Sequence, residues 1–208
     1  NLTLSLGSTA AVTLDAEMTA ATVTSGAATI TLSAVGQDVT GSAGVLTVNA
    51  TGAQLVGATL TGGNAADVLN ITDRIGATDL GALVDLVSME KLTLALGSTG
   101  TVTLDTQMTD ATVTSGTADI TLSTAGQDVD GAADGAVTVR TTDTLLAGSI
   151  IKGDNAGGDT LVISNQVTVA RDLTTYADLQ GVENLTLSLG STAAVTLDAE
   201  MTAATVTS

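Results

Sequence analysis

Apolar and small polar residues alternate in short runs along the whole chain. Leu2-Thr-Leu-Ser-Leu6, Val12-Thr-Leu14, Ala21-Thr-Val23 and Ile30-Thr-Leu32 follow one another at a regular, close spacing. Gly7-Ser8-Thr9, Asp15-Ala16-Glu17 and Ser25-Gly26 separate them. A period of two is the strand signature, and Thr, Val and Ile suit a pleated backbone. The rhythm continues through Val45–Val48, Ala58–Leu60 and Val68–Ile71. It returns at Val102–Leu104, Ala111–Val113, Ile120–Leu122, Val137–Val139 and Leu161–Ile163. Strands this short do not hold a sandwich of this size together. Stacked as successive rungs they build a parallel β-solenoid, with Ala, Val and Leu in inward ladders and Thr and Ser outside. The spacing fits two-sided coils of about 19 residues or three-sided coils of about 28. Thr78–Glu90 and Arg171–Glu183 lose the alternation. Leu80, Leu83 and Leu86 fall at a spacing of three behind Asp79, which predicts a short helical turn or lateral excursion.

The rhythm is nested in a longer repeat. Residues 184–208 match residues 1–25 letter for letter, and a diverged copy that begins at Lys91 aligns with Asn1–Gly41 without a gap. The fold class expected is therefore all-β, a parallel β-solenoid (β-helix) of tandem units of about 90 residues. The units are 1–90, 91–183 and the start of a further one at 184–208, in one continuous solenoid. The first two units together, 1–183, make up the period after which the sequence returns unchanged. We read the chain as a window from a longer tandem array.

Composition narrows the chemistry. Of 208 residues none is Phe, Trp, Pro, Cys or His, and Tyr176 is the only aromatic. Without Cys or His there is no zinc finger, thiol nucleophile or Ser-His-Asp triad. The net charge of -17 would repel a phosphate backbone, so no nucleic-acid partner is expected. Polar residues interrupt every apolar run well short of the ~20 residues of a membrane helix, so no membrane span is expected. Lys91, Lys152, Arg74, Arg140 and Arg171 are scattered, and Asp15/Glu17 becomes Asp105/Gln107 in the second unit. Paired carboxylates for acid–base work are therefore not maintained, and no enzyme is expected.

Aspartate outnumbers glutamate 18 to 4, and Asp is both a turn former and a hard oxygen ligand. Gly62-Gly-Asn64-Ala-Ala-Asp67-Val-Leu69 resembles the Gly-Gly-x-Gly-x-Asp repeat of bacterial RTX calcium-binding β-rolls, with Ala65 in place of the third Gly. Asp154-Asn-Ala-Gly-Gly-Asp159 is a looser copy, and Asp128-Val-Asp130-Gly-Ala-Ala-Asp134 sets three acids around a glycine turn. The resemblance makes Asn64, Asp67, Asp154 and Asp159 candidate Ca2+ ligands, and the Asp-x-Asp-Gly pattern adds Asp128, Asp130 and Asp134. Solvated turns between strands explain the same residues, and both readings stand at this point. The phrase Gly181-Val-Glu-Asn-Leu-Thr-Leu187, after a Gly-Gly-Asn turn in the preceding unit, is similar to repeats of large secreted surface-layer proteins and RTX-type adhesins. That resemblance implies an extracellular, cell-surface bacterial protein with calcium-assisted folding.

The function expected is structural: a filament, sheath, surface layer or adhesin shaft. It would associate head-to-tail with itself, and cell-surface polysaccharide is a further expected partner. The alternative is an ice-binding solenoid, because Thr22-Val-Thr24, Thr29-Ile-Thr31, Thr101-Val-Thr103, Thr112-Val-Thr114 and Thr205-Val-Thr207 resemble the Thr ladders of ice-binding proteins.

Overall fold

The structure, a computed structural model, describes residues 1–5, 11–63, 66–131, 135–154 and 158–207. In chain order the first strands are β1 (Leu2–Leu4), β2 (Val12–Thr13), β3 (Ala20–Val23), β4 (Ala28–Thr31), β5 (Asp38–Thr40) and β6 (Leu46–Ala50). After them come β7 (Thr59–Thr61), β8 (Val68–Ile71), β9 (Thr78–Asp79), the helical turn α1 (Leu80–Leu83) and β10 (Asp85–Val87). The series resumes with β11 (Lys91–Leu94), β12 (Thr101–Thr103), β13 (Asp110–Val113), β14 (Ala118–Thr121), β15 (Asp128–Gly131) and β16 (Val137–Thr141). It ends with β17 (Ile150–Lys152), β18 (Thr160–Ile163), β19 (Arg171–Asp172), α2 (Leu173–Tyr176), β20 (Asp178–Gln180), β21 (Asn184–Leu187), β22 (Val195–Thr196) and β23 (Ala203–Val206).

These strands stack in parallel as a β-solenoid of about ten turns. The ordinary coil has two sides. Ile30 pairs with Val12 below it and Val48 above it, and each step passes over one strand of the opposite side. Alternation then does what it must: along β4 and β6 every second residue points inward and is buried. Ile30, Val48, Leu69, Leu94, Val113, Ile120 and Leu161 are 0% exposed, and Met89 and Met108 fill gaps that no ring is present to fill.

The coil does not keep two sides throughout. One sheet runs β1-β3-β5-β7-β10, a second runs β2-β4-β6-β8-β11-β13-β15-β17-β20, and a third runs β9-β12-β14-β16-β18-β21-β23. Early strands alternate between the first and second sheets, later ones between the second and third. The exchange happens in the coil of β8, β9 and β10, which has three strands. There the first sheet ends and the third begins. The same event recurs at β18, β19 and β20, where β19-β22 starts a fourth sheet as the second ends. The extra strand lengthens these coils, so the step from Ile151 to its partner Leu179 is longer than that from Ile30 to Val48. Both segments that lack alternation in the sequence lie here. Asp79 caps α1 by accepting from the Gly81 amide at 3.1 Å, and Asp172 caps α2 from Thr174 at 3.2 Å. Leu80 and Leu173, each 0% exposed, pin the two turns to the core.

Several strands differ from the sequence expectation: β17 (Ile150–Lys152) is not among those expected, and the segments expected as helical turns hold only four helical residues each, between the short strands β9 and β10 and between β19 and β20. β5 and β15 are not legible as strands, because Asp38 and Asp128 stand where the alternation shows Thr or Ala elsewhere. Val39 at 0% and Val129 at 1% exposure are their inward anchors, and that suffices.

Shortening one inward residue should open a cavity that its rung neighbours cannot close. Ile120→Ala should cost about 2–5 kcal/mol, and the adjacent outward Thr121→Ala no more than about 0.5 kcal/mol. Denaturant titrations followed by circular dichroism measure both.

Candidate functional site

Strand ladders satisfy the backbone of each rung's sides but leave its corners, where buried amides need other partners. Two aspartates meet that need at matching places. Asp67, 0% exposed, accepts from the Leu46 amide at 2.6 Å and the Gly63 amide at 2.5 Å. Its own amide donates to Glu90 Oε2 at 2.9 Å. Asp159, 1% exposed, accepts from Val137 N at 2.6 Å and Asp154 N at 2.8 Å, and its amide donates to Glu183 Oε2 at 3.0 Å. Each aspartate thus binds its own loop, the rung before and the rung after. The glycine at the loop entrance follows from this arrangement, because a Cβ at Gly62 would run into the Ser88 carbonyl and the Asp67 carboxylate, and one at Gly153 into the Gly181 carbonyl and the Asp159 carboxylate. Burial raises the Asp159 carboxyl above the ordinary Asp value. The amides of Val137 and Asp154 pull it down, and the charges of Asp154 and Glu183 push it up again.

Gln37 and Gln127 perform the same task at another corner, and neither stands out in the sequence as a functional residue. The Gln37 Oε1 accepts from the amides of Ser33 and Ala34 at 2.8 and 3.0 Å. Its Nε2 donates to the carbonyls of Asp15 and Met18 at 2.8 and 2.7 Å. Gln127 repeats the pattern with Ser123, Thr124, Asp105 and Met108. Only a side-chain amide offers an acceptor and two donors at one end. The visible signal is the recurrence of Gly36-Gln-Asp-Val39 as Gly126-Gln-Asp-Val129.

The candidate calcium ligands are dispersed. Asp67 and Asp159 precede β8 and β18, which belong to different sheets, and both oxygens of each accept from backbone amides. Asp128–Gly131, read as acids around a turn, is strand β15. Asp128 Oδ1 accepts from Ile150 N at 2.7 Å, as Asp38 accepts from Thr59 N at 2.8 Å. Asp130 faces outward, 3.7 Å from Lys152 Nζ. Asp154 lies beside Asp159 in the same loop. Asn64 and Asp134 lie outside the described residues. Among the described residues, no group of three acidic side chains is placed to hold a metal ion, although Asp110, Asp128 and Asp130 line one shallow hollow together with Lys152.

The Thr-x-Thr triplets are divided over three sheets. Thr22 lies in the first, Thr29 and Thr112 in the second, Thr101 and Thr205 in the third. In three of them the second Thr lies beyond the strand end and turns back to the rung below. Thr24 Oγ1 donates to Ser5 O at 3.2 Å, Thr114 Oγ1 to Ala95 O at 3.2 Å and Thr207 Oγ1 to Ser188 O at 3.0 Å.

Charge is distributed unevenly. On the second sheet one outward file runs from Thr13 and Thr31 through Asn49 and Asn70 to Asp130 and Lys152. Asn70 Nδ2 donates to Asn49 Oδ1 at 2.9 Å, while Arg140, the counterpart of Asn49, makes a bidentate pair with Asp119 at 2.8–3.0 Å. Arg171 pairs with the nearly buried Asp143 at 2.6 and 2.7 Å and lies 4.6 Å from the Tyr176 ring centre. The Tyr176 hydroxyl donates to Asp143 O at 2.9 Å. Shallow grooves flank both three-strand coils, one along Val56–Thr59 and Gly81–Asp85, the other along Gly148–Ile150 and Thr174–Asp178. Among the described residues, Asp85 is the only titratable side chain lining the first, and Tyr176 and Asp178 the only ones lining the second. No known protein family, curated protein or solved structure matches this chain.

Replacing Asp159 by Asn sets an amide group against a buried N–H and should cost about 1–3 kcal/mol. The pH response follows from the raised carboxyl value. The folded state holds that proton more tightly, so its stabilising effect is full below the unfolded Asp value and fades as pH rises through the folded one. The melting temperature should therefore rise as the pH is lowered from neutrality towards the ordinary Asp range, with a smaller rise in Asp159→Asn, as scanning calorimetry will show.

Proposed function

We propose that this chain is a structural, non-enzymatic repeat protein that forms an extracellular filament, sheath, surface layer or adhesin shaft by self-association. The observation that carries the reading is the use made of the polar side chains. The buried acids and amides tie rung to rung, and the outward ones line files along a rod. The grooves at the two three-strand coils gather few acids and bases, and where Asp110, Asp128, Asp130 and Lys152 line a shallow hollow on the second sheet, Asp130 faces Lys152 and Asp128 accepts from the Ile150 amide. A solenoid of this kind transmits length rather than chemistry, since each rung contacts only its neighbours. The tandem units of about 90 residues extend that logic, because each would add the same segment of rod. The charge of -17 would hold neighbouring rods apart and favour single files over lateral aggregates. Similarity to surface-layer and RTX-type repeats supports a place at the bacterial cell surface, where polysaccharide is the partner within reach.

Calcium has a smaller part in this reading than the motif implied. The oxygens of Asp67 and Asp159 that would hold an ion are engaged by backbone amides. Ice binding draws less support, since the triplets divide over three sheets and three of them turn a hydroxyl back to a carbonyl of the rung below.

Negative-stain microscopy of concentrated protein should show linear, unbranched particles one solenoid wide. Compact particles of single-chain mass at every concentration would overturn the reading. Excess EDTA should leave the melting temperature unchanged, and a fall restored by Ca2+ would give calcium a structural role instead.

A further inference from the structure

The grooves beside the two three-strand coils are built by matching elements but have different walls. The first lies in the middle of the chain, lined by Val56, Gly81, Ala82, Leu83 and Asp85 among others. In the second, Thr174-Thr-Tyr-Ala-Asp178 replaces Gly81-Ala-Leu-Val-Asp85. Two hydroxyls and the only aromatic ring of the chain thus stand where the first groove has Gly81, Ala82 and Leu83.

Hydrogen bonding decides what the second groove can recognise. A hydroxyl has one proton to give and two lone pairs to accept with. Thr174 Oγ1 donates to Asp172 Oδ1 at 2.7 Å, and Thr175 Oγ1 to Asp172 O at 3.3 Å. The Tyr176 hydroxyl gives its proton to Asp143 O. All three protons are committed within the protein, because a carboxylate or carbonyl partner can only accept. The exposed Thr174, Thr175 and Asp178 therefore present lone pairs to the groove, and a complementary ligand must bring the donors. Beside them the half-buried Tyr176 ring supplies an apolar surface. Arg171, 4.6 Å from the ring centre and paired with Asp143, steadies that ring before any ligand arrives. A molecule rich in hydroxyl donors that also carries C–H faces is a sugar. The charge of -17 turns away polymers that bear phosphate or carboxylate.

We propose that this groove is a subsite for a neutral polysaccharide, whose hydroxyls donate to Thr174, Thr175 and Asp178 while a sugar ring packs against Tyr176. The inference rests on the reading of polysaccharide as the partner and fixes where it is held. The first groove lacks the two hydroxyls and the ring, so one subsite serves the two units.

The chain has no Trp, so its tyrosine emission comes from Tyr176 alone and reports on this groove. Dextran, mannan and laminarin are the probes, titrated into the full chain by calorimetry and by fluorescence. At least one should bind saturably and change the emission. The double variant Thr174→Gly with Thr175→Ala gives the second groove the residues of the first and should weaken that binding about tenfold, as for two lost hydrogen bonds. The first groove shows that the fold accommodates these residues, and circular dichroism checks it. Binding that the variant leaves unchanged, or no binding of any of the three, overturns the subsite, and filaments in the microscope would then leave the structural reading standing. Equal binding of polygalacturonate, or competition by spermidine at equal strength, would make the groove a site for charge and also overturn it. Glycan binding lost in the variant, with no filaments at any concentration, would keep the subsite and overturn the shaft.

Discussion

A solenoid of two-sided coils must turn its chain through two corners in every rung, and at each corner the strand ladder stops while the backbone stays buried. Each amide or carbonyl left unpaired in such a place would cost about 1–3 kcal/mol. Everything else in this structure depends on how those corners are satisfied. Asp67 and Asp159 supply acceptors, and Gln37 and Gln127 supply an acceptor with two donors. Each reaches across to a neighbouring rung, so adjacent coils are joined by buried polar bonds as well as by stacked Val, Leu and Ile. The short aliphatic core suffices because these ties share with packing the work of setting the register.

The same constraint separates what is legible in the sequence from what is not. The alternation of Leu2-Thr-Leu4 or Ala118-Asp-Ile-Thr121 announces strands because inward and outward positions differ in polarity. The stacking of such strands into rungs follows from their shortness and regular spacing. Asp38-Val-Thr40 and Asp128-Val-Asp-Gly131 are unreadable for a physical reason: a strand anchored by a single inward valine carries almost no periodic signal, and its flanking acid advertises a turn. Asp67 and Asp159 do stand out, as turn residues or as ligands alike. A carboxylate that accepts from backbone amides and one that binds calcium call for the same glycines and the same oxygen, so the motif carries the turn and the ligand reading equally. The exchange of sheets in the three-strand coils leaves no pattern beyond the loss of alternation around α1 and α2.

The two halves of the period carry similar cores but different surfaces. Where the first has Thr31, Asn49 and Asn70 in a neutral file, the second has Asp119 bonded to Arg140, Asp130 facing Lys152, and Arg171 held between Asp143 and Tyr176. Exposed pairs such as Asp130 and Lys152 add little stability. Their position matters more, since it makes the surface of the second half charged where that of the first is neutral, while the interior stays alike. A surface of that kind can vary in what it meets without any cost to the scaffold.

The staggered ends of the sheets bear on how the solenoid would resist tension. The first sheet ends at β10 and the third begins at β9, while the second runs unbroken past both. At that coil no cross-section exists at which all the ladders stop together. Tension along the axis therefore passes from one sheet to the next by shear through a shared stretch of core, as it does between overlapped planks in a lapped beam. A transverse crack would have to sever the one sheet that continues through it.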